Sequence, residues 1–147
     1  MKITICGSIA FYDEMTKAKH SLERLGHRVE MPPLEIIDGQ GNKIHAKEFY
    51  RMRKSDKRSE GWIWERKGEA IRRHFGKIEW CDAILVLNHD KNNIRNYIGA
   101  NTLMEMGLAL HLNKKIFLLN PIPEISYKEE ILGMQPIIIE RNLENIK

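Results

Sequence analysis

The chain has 147 residues, 42% of them hydrophobic and 30% charged, which is the size and composition of one globular domain. This balance excludes a disordered or low-complexity chain. The longest apolar runs, such as Ala83–Leu87, have five or six residues, whereas a bilayer span needs roughly 20, and the N-terminus lacks a signal-peptide pattern. We therefore expect one domain over residues 1–147, located in the cytoplasm and without membrane contact.

The net charge of +4 is concentrated in one basic segment, Arg51–Lys77, which holds 10 Lys or Arg against 4 Asp or Glu. With Trp62 and Trp64 inside it, the segment could bind single-stranded nucleic acid through counterion release and base stacking. Interspersed acidic residues and helical spacing favour a different interpretation, a solvated helix face or a lid over an anionic small molecule. Nucleic acid is therefore not the partner that we expect.

The first third of the chain predicts a strand, a tight turn, a helix and a second strand. Lys2–Cys6 alternates in hydropathy and stops at Gly7-Ser8, and a helical period of apolar residues follows until Gly26. Pro32-Pro33 ends the second strand because proline has no backbone donor. A long loop over residues 34–47 comes next, and loops of that length are often functional. The predicted elements are a strand at 2–6, a helix at 12–25 and a strand at 28–31.

The remaining segments alternate between helical and strand patterns. The unbroken apolar runs are typical of parallel strands covered on both faces. The predicted helices are 46–55, 64–80, 98–112 and 128–132, and the predicted strands are 83–87, 115–119 and 136–139.

Strands that alternate with helices predict an α/β three-layer sandwich with a mostly parallel five-stranded sheet of the flavodoxin or Rossmann type. Ligands of such sheets bind at the carboxyl ends of the strands. The expected site therefore comprises residues 7–11, 88–99 and 120–123.

The turn Gly7-Ser8-Ile9 after the first strand is the first candidate binding feature. A glycine lets the backbone approach a ligand, and the amides and the serine hydroxyl can bind phosphate. The same residues also fit a plain strand-to-helix turn with a capping serine. The turn lacks the GxGxxG pattern and the lysine of a Walker loop, so no dinucleotide or phosphoryl-transfer chemistry is indicated.

Glu105 is the second candidate, because it is the only Asp, Glu, Lys or Arg between Arg95 and Lys114. A carboxylate with apolar neighbours on a helix that packs on a sheet needs compensation for its burial. It shares a helix face with Asn101, one turn earlier, and points back toward the strand ends. A structural ion pair or a subunit contact remains an alternative explanation.

Three motifs resemble the nucleoside 2-deoxyribosyltransferase superfamily, which includes the 2'-deoxynucleoside 5'-phosphate N-hydrolases. They are Cys6-Gly-Ser-Ile9, Asp82-Ala-Ile-Leu-Val-Leu87, and Met104-Glu-Met-Gly-Leu-Ala109 followed by Asn113-Lys-Lys-Ile116. The resemblance implies that Glu105 attacks the anomeric carbon of a deoxyribose and that Ser8 contacts the 5'-phosphate. It also implies a homo-oligomer in which a neighbouring subunit completes the site.

Several family positions carry other residues in this chain. His74 stands where the family has a catalytic aspartate, and Thr4 stands where it has a tyrosine that orients the glutamate. Gly99 replaces a phosphate-binding serine, and Asn101 replaces a glycine. A histidine can serve as a general acid to a departing base, although packing on the helix also explains His74.

Asn88, His89 and Asp90 follow a predicted strand and could bind a ribose or a base edge, although such residues also favour turns. The histidines show no paired metal-ligand spacing, so no metal and no cofactor are expected. The two cysteines, Cys6 and Cys81, are expected to be reduced core thiols.

Three functions follow from these residues. The leading one is cleavage or exchange of the N-glycosidic bond of a deoxynucleoside or its 5'-monophosphate, with Glu105 and His74 as catalytic residues. The residues expected to bind the nucleoside or nucleotide are Gly7, Ser8, Ile9, Asn88, Gly99 and Asn101. The alternatives are a catalytically silent nucleotide-binding or sensor protein on the same fold, and nucleic-acid binding through residues 51–77.

Overall fold

A computed structural model describes residues 1–55 and 59–147. Asp56, Lys57 and Arg58 of the basic segment lie outside the described residues. The strands are β1 (Lys2–Gly7), β2 (Arg28–Glu30), β3 (Glu35–Ile37), β4 (Lys43–His45), β5 (Ala83–Leu87), β6 (Lys115–Leu118) and β7 (Ile137–Ile138). The helices are α1 (Tyr12–Arg24), α2 (Ala46–Arg53), α3 (Gly61–Trp80), α4 (Ala100–His111) and α5 (Lys128–Gly133).

Five strands form a parallel sheet in the order β2-β1-β5-β6-β7, which confirms the predicted fold class. The chain leaves β1 toward β2 on one side and later returns to β5 on the other side. This reversal creates a crevice at the carboxyl ends of β1 and β5, where Gly7 lies beside Leu87. The sheet therefore offers a ligand site at the segment predicted from the sequence.

The alternation along β1 divides the core into two layers, one on each face of the sheet. Ile3 and Ile5 face α1, where they join Met15 and Leu22. Cys6 faces the opposite layer, which contains Ile78 of α3, Met106 of α4 and Ile131 of α5. Successive strand residues point to opposite faces, and both faces are covered by helices. The three-layer sandwich follows from this arrangement.

The loop expected at residues 34–47 contains an antiparallel hairpin, so that expectation was wrong in part. Residues 35–37 pair with residues 43–45, and the Asp38 carboxylate accepts hydrogen bonds from the backbone amides of Gln40 and Asn42. Each strand has only three residues and is half-exposed, so hydropathy gives little alternating signal. The hairpin covers part of the crevice through Ile36, and a function of this segment stays a prediction.

The helix boundaries differ from the sequence prediction by a few residues. Helix α3 begins at Gly61 instead of residue 64, and α4 begins at Ala100 instead of residue 98. Among the described residues, no helix combines the length and hydropathy needed to cross a membrane.

Candidate functional site

A cavity of about 470 Å³ opens at the carboxyl ends of β1 and β5. Its walls come from the turn after β1, the hairpin region, α2, α3, the loop after β5 and the first two turns of α4. Seven of the eight residues predicted for the site line it. They are Gly7, Ser8, Ile9, His74, Gly99, Asn101 and Glu105. Residues from six segments of the chain therefore meet at the predicted edge of the sheet.

Gly7 is required by the close approach of β1 to β5 at the mouth of the cavity. Its φ of +150° is unfavourable for other residues, and a Cβ atom there would lie 3.0 Å from the carbonyl oxygen of Leu87. Ser8 follows in extended conformation, and its hydroxyl accepts a hydrogen bond from the Ala10 amide. The turn thus places the Ser8 side chain at the cavity wall.

Glu105 lies at the inner end of the cavity with only 4% of its surface exposed. Its Oε1 accepts a hydrogen bond of 2.7 Å from the Asn101 side chain, one helical turn earlier, as the shared helix face predicted. Its Oε2 has no hydrogen-bond donor among the described residues. Burial raises the pKa of Glu105 to about 8, although hydrogen bonding with the Cys6 thiol, the charge of Lys67 and the hydrogen bond from Asn101 oppose this rise.

His74 comes from the opposite helix and brings its Nε2 within 3.8 Å of Glu105 Oε1 and within 3.4 Å of Cys6 Sγ. Burial and the charge of Lys77 lower the pKa of His74 to about 4, so its imidazole is neutral at pH 7. Burial also raises the pKa of Cys6, which keeps its thiol protonated. His74 thus lies beside Glu105 and is not a packing residue remote from the site.

A group of cations surrounds the outer part of the cavity, and the site residues named from sequence did not include them. Lys91 donates hydrogen bonds to Ser8 Oγ at 2.7 Å and to Tyr50 Oη at 2.9 Å. Arg53, Lys54 and Lys67 also line the cavity. Burial, with the nearby charges of Arg53 and Lys54, lowers the pKa of Lys67 to about 8. Like charges held this close favour the binding of an anion.

The basic composition of residues 51–77 was the sequence signal for these cations. Three of its described cations line the cavity, whereas Arg66 pairs with Glu69 and Lys77 pairs with Glu30. This distribution fits a lid over an anionic small molecule. Lys91 had no comparable signal, because it belongs to a polar loop of residues that also favour turns.

Asn88 lies outside the cavity lining, in contrast to the other predicted binding residues. Its side chain is fully buried and bonds to the backbone of Asn120 and to the Pro121 carbonyl. These bonds tie the end of β5 to the end of β6. A contact between Asn88 and substrate therefore stays a prediction, and the structure gives this residue an architectural role.

Thr4 does not take the orienting role of the family's tyrosine. Its hydroxyl is buried and donates a hydrogen bond of 2.8 Å to the Lys77 carbonyl. Asn101 instead contacts the Glu105 carboxylate. A residue of the same helix as Glu105 thus makes the contact that the family's tyrosine would make.

Solved structures of other proteins share this fold. The chain is similar to a 2-deoxyribosyltransferase from Bacillus psychrosaccharolyticus, with 20% identity, a TM-score of 0.52, and coverage of 80% of this chain and 71% of that one. It is also similar to the CMP N-glycosidase BcmB of Clostridium botulinum, with 15% identity, a TM-score of 0.46, and coverage of 94% and 85%. A third similar structure is a 2-deoxyribosyltransferase from Leishmania mexicana, with 17% identity, a TM-score of 0.44, and coverage of 82% of this chain and 67% of that one.

No protein-family model and no curated protein matches the chain. The structural likeness to the Bacillus protein establishes the fold, as the sequence motifs implied. The chain therefore has a 2-deoxyribosyltransferase-like fold, with a buried glutamate and a ring of cations at the carboxyl edge of its sheet.

Proposed function

We propose that this chain cleaves or exchanges the N-glycosidic bond of a deoxynucleoside 5'-monophosphate, with Glu105 as the nucleophile. One observation carries the proposal: Glu105 is the only acidic residue among the described residues that line the cavity, and four cations line it as well. A single carboxylate at the closed end suits attack on an electrophilic carbon, whereas the cations suit an anionic group at the other end.

The cations support a phosphorylated substrate over a free nucleoside. Lys91, Ser8 and Tyr50 form a connected set of donors. A phosphate there would accept their hydrogen bonds and neutralise the mutual repulsion of the nearby lysines and arginine. A free nucleoside offers no charge to offset this repulsion, so we expect it to bind more weakly.

The chemical step uses the free Oε2 of Glu105. This oxygen forms a bond to the anomeric carbon while the bond from that carbon to the base nitrogen breaks, and the electron pair leaves with the base, which takes up a proton. Water or a second base then attacks the glycosyl ester and releases the carboxylate. Asn101 holds Oε1, so Oε2 is the buried carboxylate oxygen that has no hydrogen-bond partner among the described residues.

Glu105 must be ionised to act as a nucleophile, and burial works against ionisation. Lys67 counters this effect, because its charge lowers the pKa of Glu105, and it also donates a hydrogen bond to Asn101 Oδ1 at 3.1 Å. We infer that Lys67 and Asn101 together hold the carboxylate in its reactive form and orientation.

His74 has less support as a general acid than the sequence alone indicated. A neutral imidazole whose pKa is about 4 holds no readily donated proton at pH 7. Its position beside Glu105 favours a role in positioning the nucleophile. The role of proton donor stays a prediction.

The test is the release of free base from a panel of nucleosides and 5'-monophosphates, in wild type and in Glu105→Ala. We expect turnover of at least one monophosphate, loss of that turnover by at least about 1000-fold in the variant, and ligand affinity within about tenfold of wild type. The matched control is Glu65→Ala, an exposed glutamate on α3. Equal turnover in Glu105→Ala and wild type would refute the assignment.

A nucleotide-binding protein without turnover is the second candidate, favoured by the commitment of Thr4 to the Lys77 carbonyl. In that case 5'-monophosphates would raise the melting temperature while no free base appeared.

We also propose that the active form is a homo-oligomer. Trp64 and Met104 line the cavity and are each about half exposed, at 50% and 47%. A second copy over these side chains would bury them and close the cavity. A monomeric mass in light scattering at micromolar concentration would contradict this proposal.

A further inference from the structure

Three side chains with metal-binding atoms meet below the cavity. Cys6 comes from β1, His74 from α3 and Glu105 from α4, and all three are buried. Their ligand atoms lie within 4.8 Å of one another, with 3.4 Å between Cys6 Sγ and His74 Nε2 and 3.8 Å between His74 Nε2 and Glu105 Oε1. It is the one such group found among residues 1–55 and 59–147.

These separations are close to those of ligands around a tetrahedral zinc ion. Zinc bonds of about 2.3 Å to sulfur and about 2.0 to 2.1 Å to nitrogen or oxygen place neighbouring ligand atoms about 3.4 to 3.5 Å apart. The His74 to Cys6 separation already has this length, and the His74 to Glu105 separation needs only a few tenths of an ångström of contraction. The third separation, between Cys6 Sγ and the Glu105 carboxylate, is within 4.8 Å, so an ion would have to draw these two groups together by up to about 1.3 Å.

The chemistry of the three groups selects a borderline metal ion. A thiolate, an imidazole and a carboxylate suit Zn²⁺ or Co²⁺, whereas Mg²⁺ and Ca²⁺ prefer oxygen ligands. The charges of one thiolate and one carboxylate balance a dication. His74 Nε2 is available as a neutral ligand, and binding breaks the Cys6 S–H bond and releases its proton to solvent.

The surroundings leave room for an ion to enter and for the fourth ligand. His74 and Glu105 both line the cavity, so an ion can reach them from solvent and keep a water molecule on the cavity side. Glu105 Oε2 has no donor among the described residues, and Glu105 is 4% exposed. The 3.8 Å separation from His74 is that of Oε1, so a cation would satisfy the buried Oε2 when the carboxylate binds it through both oxygens or turns about its Cγ–Cδ bond.

We propose that Cys6, His74 and Glu105 form a binding site for a divalent ion of the Zn²⁺ and Co²⁺ class. The site goes beyond the proposed function and interacts with it, because the same carboxylate serves as nucleophile and as ligand. A bound ion would occupy Glu105, so metal binding and glycosidic turnover exclude each other. Zinc should therefore inhibit the enzyme reversibly, and a chelator should restore its activity.

The direct test is a titration of the metal-free protein with Co²⁺, without any nucleotide. Ligation by Cys6 should produce a thiolate-to-cobalt charge-transfer band in the near ultraviolet that saturates at one equivalent and is displaced by Zn²⁺. Cys6→Ser should abolish the band. Cys81→Ser is the matched control, because Cys81 is also a free buried cysteine in the same core layer, and it should keep the band.

Glu105→Gln provides a second variant that does not depend on the folding of Cys6→Ser. It keeps the thiolate and the imidazole, so the band should remain while the affinity for Co²⁺ falls at least about tenfold. Three results would overturn the proposal: a wild-type protein without the band, a band that is lost in Cys81→Ser, and an unchanged affinity in Glu105→Gln. None of these readings needs turnover, so a failure of the glycosidase proposal would be seen separately in the base-release assay.

Discussion

Replacement of Glu105 by glutamine should stabilise the protein, and the gain should grow with pH. The pKa of Glu105 is about 8 in the folded chain, against 4.5 for the ordinary carboxyl group. Folding thus favours the protonated form, and the contribution of this group to stability is complete below about pH 4.5 and is lost as the pH rises toward 8. Glutamine stays neutral throughout and can still accept the hydrogen bond from Asn101.

The magnitude follows from these two pKa values. Relative to a side chain that stays neutral, the raised pKa lowers the free energy of unfolding by about 1 kcal/mol at pH 5 and about 3 kcal/mol at pH 7. For a chain of this size, the difference of about 2.5 kcal/mol corresponds to roughly 7 °C in melting temperature. Glu105→Gln should therefore melt near wild type at pH 5 and clearly above it at pH 7.

Thermal unfolding measured with EDTA between pH 5 and pH 8 tests this expectation, with exposed Glu65→Gln as the control. The control should follow wild type at every pH. A constant offset between Glu105→Gln and wild type would refute the argument from burial. A variant that melts more than about 8 °C below wild type at pH 7 would assign Glu105 to the architecture instead of catalysis.

Three further predictions concern other positions. If Glu105 is the nucleophile, kcat/KM should rise about tenfold per pH unit below the pKa of Glu105. Lys67→Met should move the midpoint of this pH profile to higher pH, because the lysine charge lowers that pKa. An unmoved midpoint in Lys67→Met would contradict this expectation. Lys91→Met should weaken the binding of a 5'-monophosphate at least about tenfold in calorimetry and leave the binding of the nucleoside nearly unchanged, since the Lys91 ammonium group bonds to Ser8 and Tyr50. Equal losses of affinity for both ligands would place the phosphate elsewhere. Asn88→Ala should lower the free energy of unfolding in denaturant by about 2 to 3 kcal/mol, because it leaves the Asn120 amide and two carbonyl groups without partners. The Kd for nucleotide should stay unchanged, and a large rise in that Kd would return Asn88 to the binding site.

The sequence determined the layers of this fold and the edge where the site lies. Alternating residues in β1 and unbroken apolar runs in β5 and β6 are local patterns, and they specify which faces are buried before any tertiary contact forms. The single carboxylate of α4 was visible for the same reason, because a charge on an apolar helix stands out from its neighbours. The hairpin at residues 35–45 escaped prediction, since its strands are too short to show a period.

Only the tertiary structure decided which chemical groups meet. Lys91 and Ser8 are 83 residues apart, and His74 and Cys6 are 68 apart, so no local spacing could place them in contact. The absence of metal-ligand spacing in the sequence likewise says nothing about ligands that come from one strand and two helices. Asn88 shows the opposite case, because a polar residue after a strand has the same sequence signal whether it binds a ligand or joins two strand ends. Periodicity encodes burial along one element, whereas the site depends on how separate elements pack together.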